Sequence, residues 1–295
     1  MRGIYHSHSR RKDKPDLVYH GANLLGENSV FTVSLAQQKV LSDSTIELQF
    51  QRDDGESVVF VPGQFFRFVF TDVDGEFERS YSLCNLAPDT TGILMLVISK
   101  VDGGRATRLL FNTECGLKAS VTGPFGRLVL PEKLPKRLFL VATSVGIAPY
   151  LPMLGPLSGP LCRDEIEVFL LLGVRDPSEF IYATELVDFQ RRHPRFHLRI
   201  CYSRRLPDSP RSFEGAGYVQ DYLPAVVPNQ DLVMLCGNPM MVDVCFDKLK
   251  QAGLPSRQVI REKYVFAKQA AVKPPSALSA EQKRLIEEKM QKYRS

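Results

Sequence analysis

Pro131-Glu132-Lys133-Leu134-Pro135-Lys136, followed at once by Arg137-Leu138-Phe139-Leu140-Val141-Ala142, is where the texture of this 295-residue chain changes. Before it, residues 31–41, 44–50, 65–70 and 92–101 form short runs of largely alternating apolar and polar residues. They are separated by turn pairs such as Asp54-Gly55, Asp74-Gly75 and Asp102-Gly103. That pattern predicts a six-stranded antiparallel Greek-key β-barrel ending near Leu130. After the linker, the runs at 137–142, 167–174, 196–203 and 231–237 are apolar without alternation, and each leads into a stretch that suits a helix. Strands apolar on both faces belong to a parallel sheet covered on two sides, a Rossmann-like layer whose last strand is expected at 261–267. The resulting division is a basic arm over 1–28, a barrel domain over 29–133, an α/β domain over 134–268 and a tail over 269–295. The tail holds a capping-box pair, Ser279 and Gln282, ahead of a short helix.

Composition narrows the function classes. With 44% hydrophobic and 24% charged residues the chain is an ordinary globular one. Its net charge of +5 is interleaved rather than blocked, and no nucleic-acid recognition motif accompanies it. No apolar run approaches the roughly 18 residues of a membrane span, and the start lacks the apolar core of a secretory signal. A cytoplasmic monomer that engages neither nucleic acid nor membrane is the expectation. The six cysteines contain no Cys-x-x-Cys pair, so no metal site is expected, and electrons passing through would need an organic carrier.

Several segments carry candidate chemistry. Arg79-Ser80-Tyr81-Ser82 combines a cation, an aromatic plane and hydroxyls within four residues, which is what a flavin requires of a cleft; strand alternation separates Ser82 from Arg79 and Tyr81 unless the strand ends there. Gly104, Arg105, Ala106 and Thr107 lead into a helix expected from about Thr107, whose exposed N–H groups would suit a pyrophosphate. Gly123-Pro124-Phe125-Gly126 is expected to be a tight turn closing the barrel. Thr143-Ser144-Val145-Gly146-Ile147-Ala148-Pro149 and Cys236-Gly237-Asn238-Pro239-Met240 each follow a buried parallel strand, where open α/β sheets bind ligands. Arg175, and Ser203 with Arg204 and Arg205, follow two further strands; their donor forks suit a 2′-phosphate and favour NADP(H) over NAD(H).

Over residues 30 to 267 these segments resemble the ferredoxin–NADP(+) reductase superfamily. The resemblance implies that Arg79, Ser80, Tyr81, Ser82, Gly104, Arg105, Ala106 and Thr107 hold FAD, with Tyr264 near the flavin. It implies that Thr143, Gly146, Ile147, Ala148, Pro149, Cys236, Gly237, Asn238, Pro239 and Met240 meet NADP(H). Ser82, Cys236 and Glu262 are then expected at the reacting atoms. Family members usually carry a second glycine where this chain has Ser144 or Val145. The resemblance implies an oxidoreductase passing a hydride between NADP(H) and flavin and single electrons to a ferredoxin or flavodoxin. The alternatives are a reductase feeding a separate oxygenase-linked carrier, a free-flavin reductase, or a non-catalytic flavin-binding module.

Overall fold

The computed structural model describes residues 29–86 and 92–265, so the arm over 1–28, the tail over 269–295 and Phe266 lie outside the described residues. The first half contains β1 (Ser29–Ser42), β2 (Thr45–Arg52), β3 (Phe65–Asp72), β4 (Gly75–Ser82), β5 (Ile93–Ser99) and β6 (Lys118–Phe125). Helix α1 (Arg105–Leu110) lies between β5 and β6. They form one antiparallel sheet in the order β4-β3-β6-β1-β2-β5.

Alternation sorts the side chains. Along β3, Phe66, Phe68 and Phe70 are buried while Phe65, Arg67 and Val69 face the other way. With Leu48, Phe50, Leu94, Leu96 and Val121 they fill the interior, and Leu110 of α1 packs onto the same cluster. The sheet curls until its edges touch, and Asn85 contributes to the closure. Its amide donates to the Ile93 carbonyl and accepts from the Met95 N–H, both at 3.0 Å, while Cys84 N–H donates to the Met95 carbonyl at 2.9 Å. One side chain thus continues the ladder where β4 has ended.

The second half is a parallel sheet of β7 (Arg137–Thr143), β8 (Glu167–Val174), β9 (Phe196–Tyr202), β10 (Glu214–Ala216), β11 (Asp231–Gly237) and β12 (Val259–Lys263). The order is β10-β9-β8-β7-β11-β12, so the chain reverses direction across the sheet between β7 and β11. Helices α2 (Leu154–Cys162), α3 (Ala183–Arg192) and α4 (Pro239–Gln251) follow β7, β8 and β11.

The structure corrects four expectations. No helix follows β9; Pro207, Pro210, Pro224 and Pro228, with Gly215 and Gly217, break that stretch into a short strand and a turn. The last strand among the described residues is Val259–Lys263, starting two residues ahead of the expected 261–267, of which 266 and 267 lie outside the described residues. Helix α1 starts at Arg105, not Thr107, because Gly104 already serves as its N-cap. Pro124 and Phe125 are not in a tight turn: β6 runs through them, and Phe125 pairs with Phe65 of β3.

At the end of the sheet away from the strand carboxyl termini, Asp231 is fully buried. It accepts two hydrogen bonds from the Arg137 guanidinium, at 2.7 and 2.6 Å, and one from Val227 N–H at 2.6 Å. This pair pins β7 to β11. Asp231→Ala leaves the guanidinium without its carboxylate and should lower the unfolding free energy in a urea titration by about 3 kcal/mol. A loss under about 1 kcal/mol would reduce the pair to a surface-grade bridge.

Candidate functional site

Strand β4 ends at Ser82, and the carboxyl ends of β11 and β12 meet it from the other sheet. The Ser82 hydroxyl donates to Glu262 Oε1 at 3.3 Å and accepts from the Tyr264 hydroxyl at 2.8 Å. Cys236 stands opposite Glu262 in the β11–β12 register and is hydrogen-bonded to the Tyr264 side chain. Ser82, Cys236, Glu262 and Tyr264, distant in sequence, therefore form one contiguous group across the two sheets. Tyr264 is fixed by its backbone as well, its N–H donating to the Gly237 carbonyl at 2.8 Å.

Burial sets the protonation states of this group. The Cys236 thiol is held well above its ordinary pKa, first by desolvation and then by the Glu262 charge, so it stays neutral. Desolvation also pushes the Glu262 carboxyl up to about 7, with the Ser82 hydroxyl opposing the shift. Gly126, at φ +105°, lies close beside it: a Cβ there would press on the Phe65 ring at 3.0 Å and touch Glu262 Oε2 at 3.7 Å.

The sheet side of the crevice is made by two interlocked turns. A Cβ on Gly146 would come within 2.5 Å of the Cys236 carbonyl, and one on Gly237, at φ +124°, within 2.5 Å of Thr143 Oγ1. Thr143 Oγ1 in turn accepts from Asn238 N–H at 2.9 Å. Asn238 caps α4 by accepting from the N–H groups of Met240 and Met241 at 2.9 and 3.4 Å, ahead of Pro239 in the first turn. Met240 is exposed, whereas Ile147, Ala148 and Pro149 are buried. Ser144 has φ +50°, the left-handed conformation glycine favours, and its hydroxyl lies 3.2 Å from that of Ser99 on β5.

On the barrel side, Tyr81 packs edge-on against Phe68, with burial raising its phenol. Arg79 extends over Phe77 and donates to the neighbouring Glu78 carbonyl, and Ser80 is exposed on the other face. Arg105 is tied down: its guanidinium binds both oxygens of Asp72 at 2.9 and 2.5 Å and holds that carboxyl down to about 2. Thr107 Oγ1 accepts from Val101 N–H at 2.9 Å. Gly104 provides no side-chain cap, and its turn borders a hollow of about 260 Å³ lined by Lys100, Asp102, Gly103, Arg108 and Asn112.

The arginines separate. Arg204 and Arg205 are exposed beyond β9, with the half-buried Ser203 beside them. Arg175 is turned instead toward Glu179 and Ser44. Asn85, Ser99, Ser44, Glu47 and Tyr182 complete the surroundings and were not identified from sequence: each is one polar residue in an unremarkable run.

The residues fit two cofactors on structural grounds. The barrel side offers an aromatic plane, a cation and an uncapped turn beside a hollow; the sheet side offers two glycine turns at the strand reversal, where a Cβ would close the approach. Among the described residues no cluster of metal-ligating side chains occurs, and no helix is long and apolar enough to cross a membrane.

Comparisons agree with this division. The family described as oxidoreductase FAD-binding domain matches residues 32–130, and that described as oxidoreductase NAD-binding domain matches residues 140–246. Ferredoxin--NADP reductase B of Sorangium cellulosum is 29% identical over 244 residues, covering 79% of this chain and 97% of its own. The toluate 1,2-dioxygenase electron transfer component of Pseudomonas putida is 28% identical, covering 79% of this chain and 67% of its own. A ferredoxin NADP+ reductase from Neisseria gonorrhoeae, solved with bound FAD and NADP, shares the fold at a TM-score of 0.67 and 24% identity, over 79% of this chain and 98% of that one.

The Glu262 shift has a checkable sign. Its folded pKa, about 7, exceeds the ordinary 4.5, so between those values the folded state holds the extra proton and stability falls as pH rises. Above about 7 the deficit is constant, of the order of 3 kcal/mol. Urea unfolding of Glu262→Gln against the parent should show the variant gaining between pH 5 and pH 8. Parallel curves would contradict the buried, protonated carboxyl.

Proposed function

The chain belongs to the ferredoxin–NADP(+) reductase superfamily and is an FAD- and NAD(P)-dependent oxidoreductase, and within that family we propose a reductase that draws on NADPH and serves ferredoxin or flavodoxin. The observation that carries this reading is the hydrogen-bonded group of Ser82, Glu262, Tyr264 and Cys236 at the junction of the two sheets. Bound there, FAD would accept a hydride from the nicotinamide and release electrons one at a time.

The chain's own residues would do the following. Tyr81 and Arg79 receive the flavin and its phosphate, and the turn at Gly104, Ala106 and Thr107 receives the pyrophosphate. Arg105 serves indirectly, since its ion pair with Asp72 fixes that turn to the β3–β4 hairpin. Cys236, neutral and buried against the Tyr264 side chain, would offer a soft apolar surface to a nicotinamide ring once Tyr264 moves aside. Ser82 presents a hydroxyl at the reacting edge, and Glu262 behind it can hold a proton near neutral pH. Gly146 and Gly237 let the backbone approach the nucleotide, and Thr143 and Asn238 hold the two turns together. Arg204 and Arg205, exposed beyond β9, supply the charge for a 2′-phosphate and support NADPH over NADH.

A second reading has specific support, because the toluate 1,2-dioxygenase component is matched almost as well as the ferredoxin--NADP reductase. In that reading the acceptor is a separate oxygenase-linked carrier. A monomeric, cytoplasmic protein is part of the proposal in either case.

NADPH oxidation by the purified FAD-loaded protein should accelerate with ferredoxin or flavodoxin more than with free flavin, and more than NADH oxidation does. Acceleration by free flavin alone would remove the carrier assignment. Cys236→Ala should slow flavin reduction in a single turnover by about tenfold or more while FAD content stays near parental. Equal rates would exclude Cys236 from the reacting face.

A further inference from the structure

Between β8 and α3 the chain reaches across to the barrel at two buried points. Glu179, 8% exposed, accepts from the Ser44 hydroxyl at 2.6 Å and pairs with Arg175, which itself donates to Ser44 Oγ at 2.8 Å. Asp176 shapes this turn by accepting from Ser178 N–H at 3.1 Å. Three residues beyond Glu179, the Tyr182 hydroxyl donates to Glu47 Oε2 at 2.7 Å and lies 3.5 Å from Cys84 Sγ. Glu47 and Tyr182 are 5% and 8% exposed, and Tyr182 has φ +54°.

These features are costly in isolation. A buried carboxylate needs strong partners, and an aromatic residue in the left-handed region is strained. What they join gives them a purpose. On the barrel side, Cys84 is two residues past Ser82 and is bonded through its N–H to β5. On the sheet side, the segment starts from the end of β8, where Gly173 stands in register with Thr143. The barrel end of the contact thus comes within two residues of Ser82 at Cys84, and on the sheet side the segment leaves the sheet beside Thr143, with Arg175 two residues past Gly173.

We propose that Arg175, Glu179 and Tyr182, with Ser44, Glu47 and Cys84, form a clamp that sets the spacing of the crevice, and that Tyr182 is a positioning residue for hydride transfer. This rests on the crevice being the hydride-transfer site. It also removes Arg175 from the residues that meet the nucleotide: its guanidinium serves the clamp.

The test is anaerobic mixing of the FAD-loaded full chain with NADPH, following flavin bleaching and the long-wavelength absorbance of a nicotinamide stacked on flavin. Tyr182→Phe should keep its FAD and a KM for NADPH within about threefold, slow bleaching about tenfold or more, and weaken the long-wavelength band. Glu47→Gln, whose amide oxygen still accepts from Tyr182, should stay within about threefold of the parent. A folded Tyr182→Phe with both signals unchanged would overturn the clamp. Should that variant not fold, Ser44→Ala gives the same decision: slower bleaching at an unchanged KM supports the clamp, and parental bleaching and absorbance overturn it. A parent protein that neither NADPH nor NADH bleaches would instead overturn the reading of the crevice, and the clamp with it.

Discussion

A serine hydroxyl at the end of one sheet, held between a tyrosine and a glutamate at the end of the other, is the contact on which the proposed chemistry depends. The barrel interior is filled by its own phenylalanines, and the parallel sheet is packed mainly by its own leucines and valines, with Cys84 and Val97 of the barrel joining that cluster. What neither can make alone is a crevice walled on both sides. Ser82 supplies one wall because β4 stops there. Cys236, Glu262 and Tyr264 supply the other because β11 and β12 end beside each other at the reversal of strand order.

The crevice is built for closeness rather than charge. Its cysteine is neutral, its carboxyl titrates near neutrality, and its two turns touch where a single Cβ would force them apart. Fixed charges lie farther out, and several are already paired: Arg105 with Asp72, Arg137 with Asp231, Arg175 with Glu179. Ser144 holds the left-handed backbone that a glycine would adopt without strain, and its hydroxyl meets Ser99 on the barrel, a polar contact that glycine could not make.

Where periodicity carries the information, the sequence was legible. Alternation before residue 131 and continuous apolar runs after it correspond to the antiparallel and parallel sheets, and the four runs from 137 to 237 match strands to within a residue. Ser82, Cys236 and Glu262 were named together through the family resemblance of their motifs, not through periodicity, and the fold brings them side by side. Periodicity is silent on how one element leans on another. Nothing local marks Asn85 as the residue that continues a ladder, or Glu47 and Tyr182 as partners 135 residues apart. The arginine of Gly173-Val174-Arg175 has the right chemistry for a phosphate, and only three dimensions show it facing Glu179. The stretch after β9 followed the alternating rhythm of strand and helix in expectation, but its prolines and glycines prevail over that rhythm.

The central claim is that both cofactor rings share one crevice, and a crystal structure of the protein with FAD and NADP+ tests it most directly. The account predicts the flavin and nicotinamide rings in contact, with Ser82 Oγ and Cys236 Sγ each within about 4 Å of a ring atom. A flavin seated away from Ser82, or a nucleotide whose nicotinamide never approaches Cys236, would contradict it.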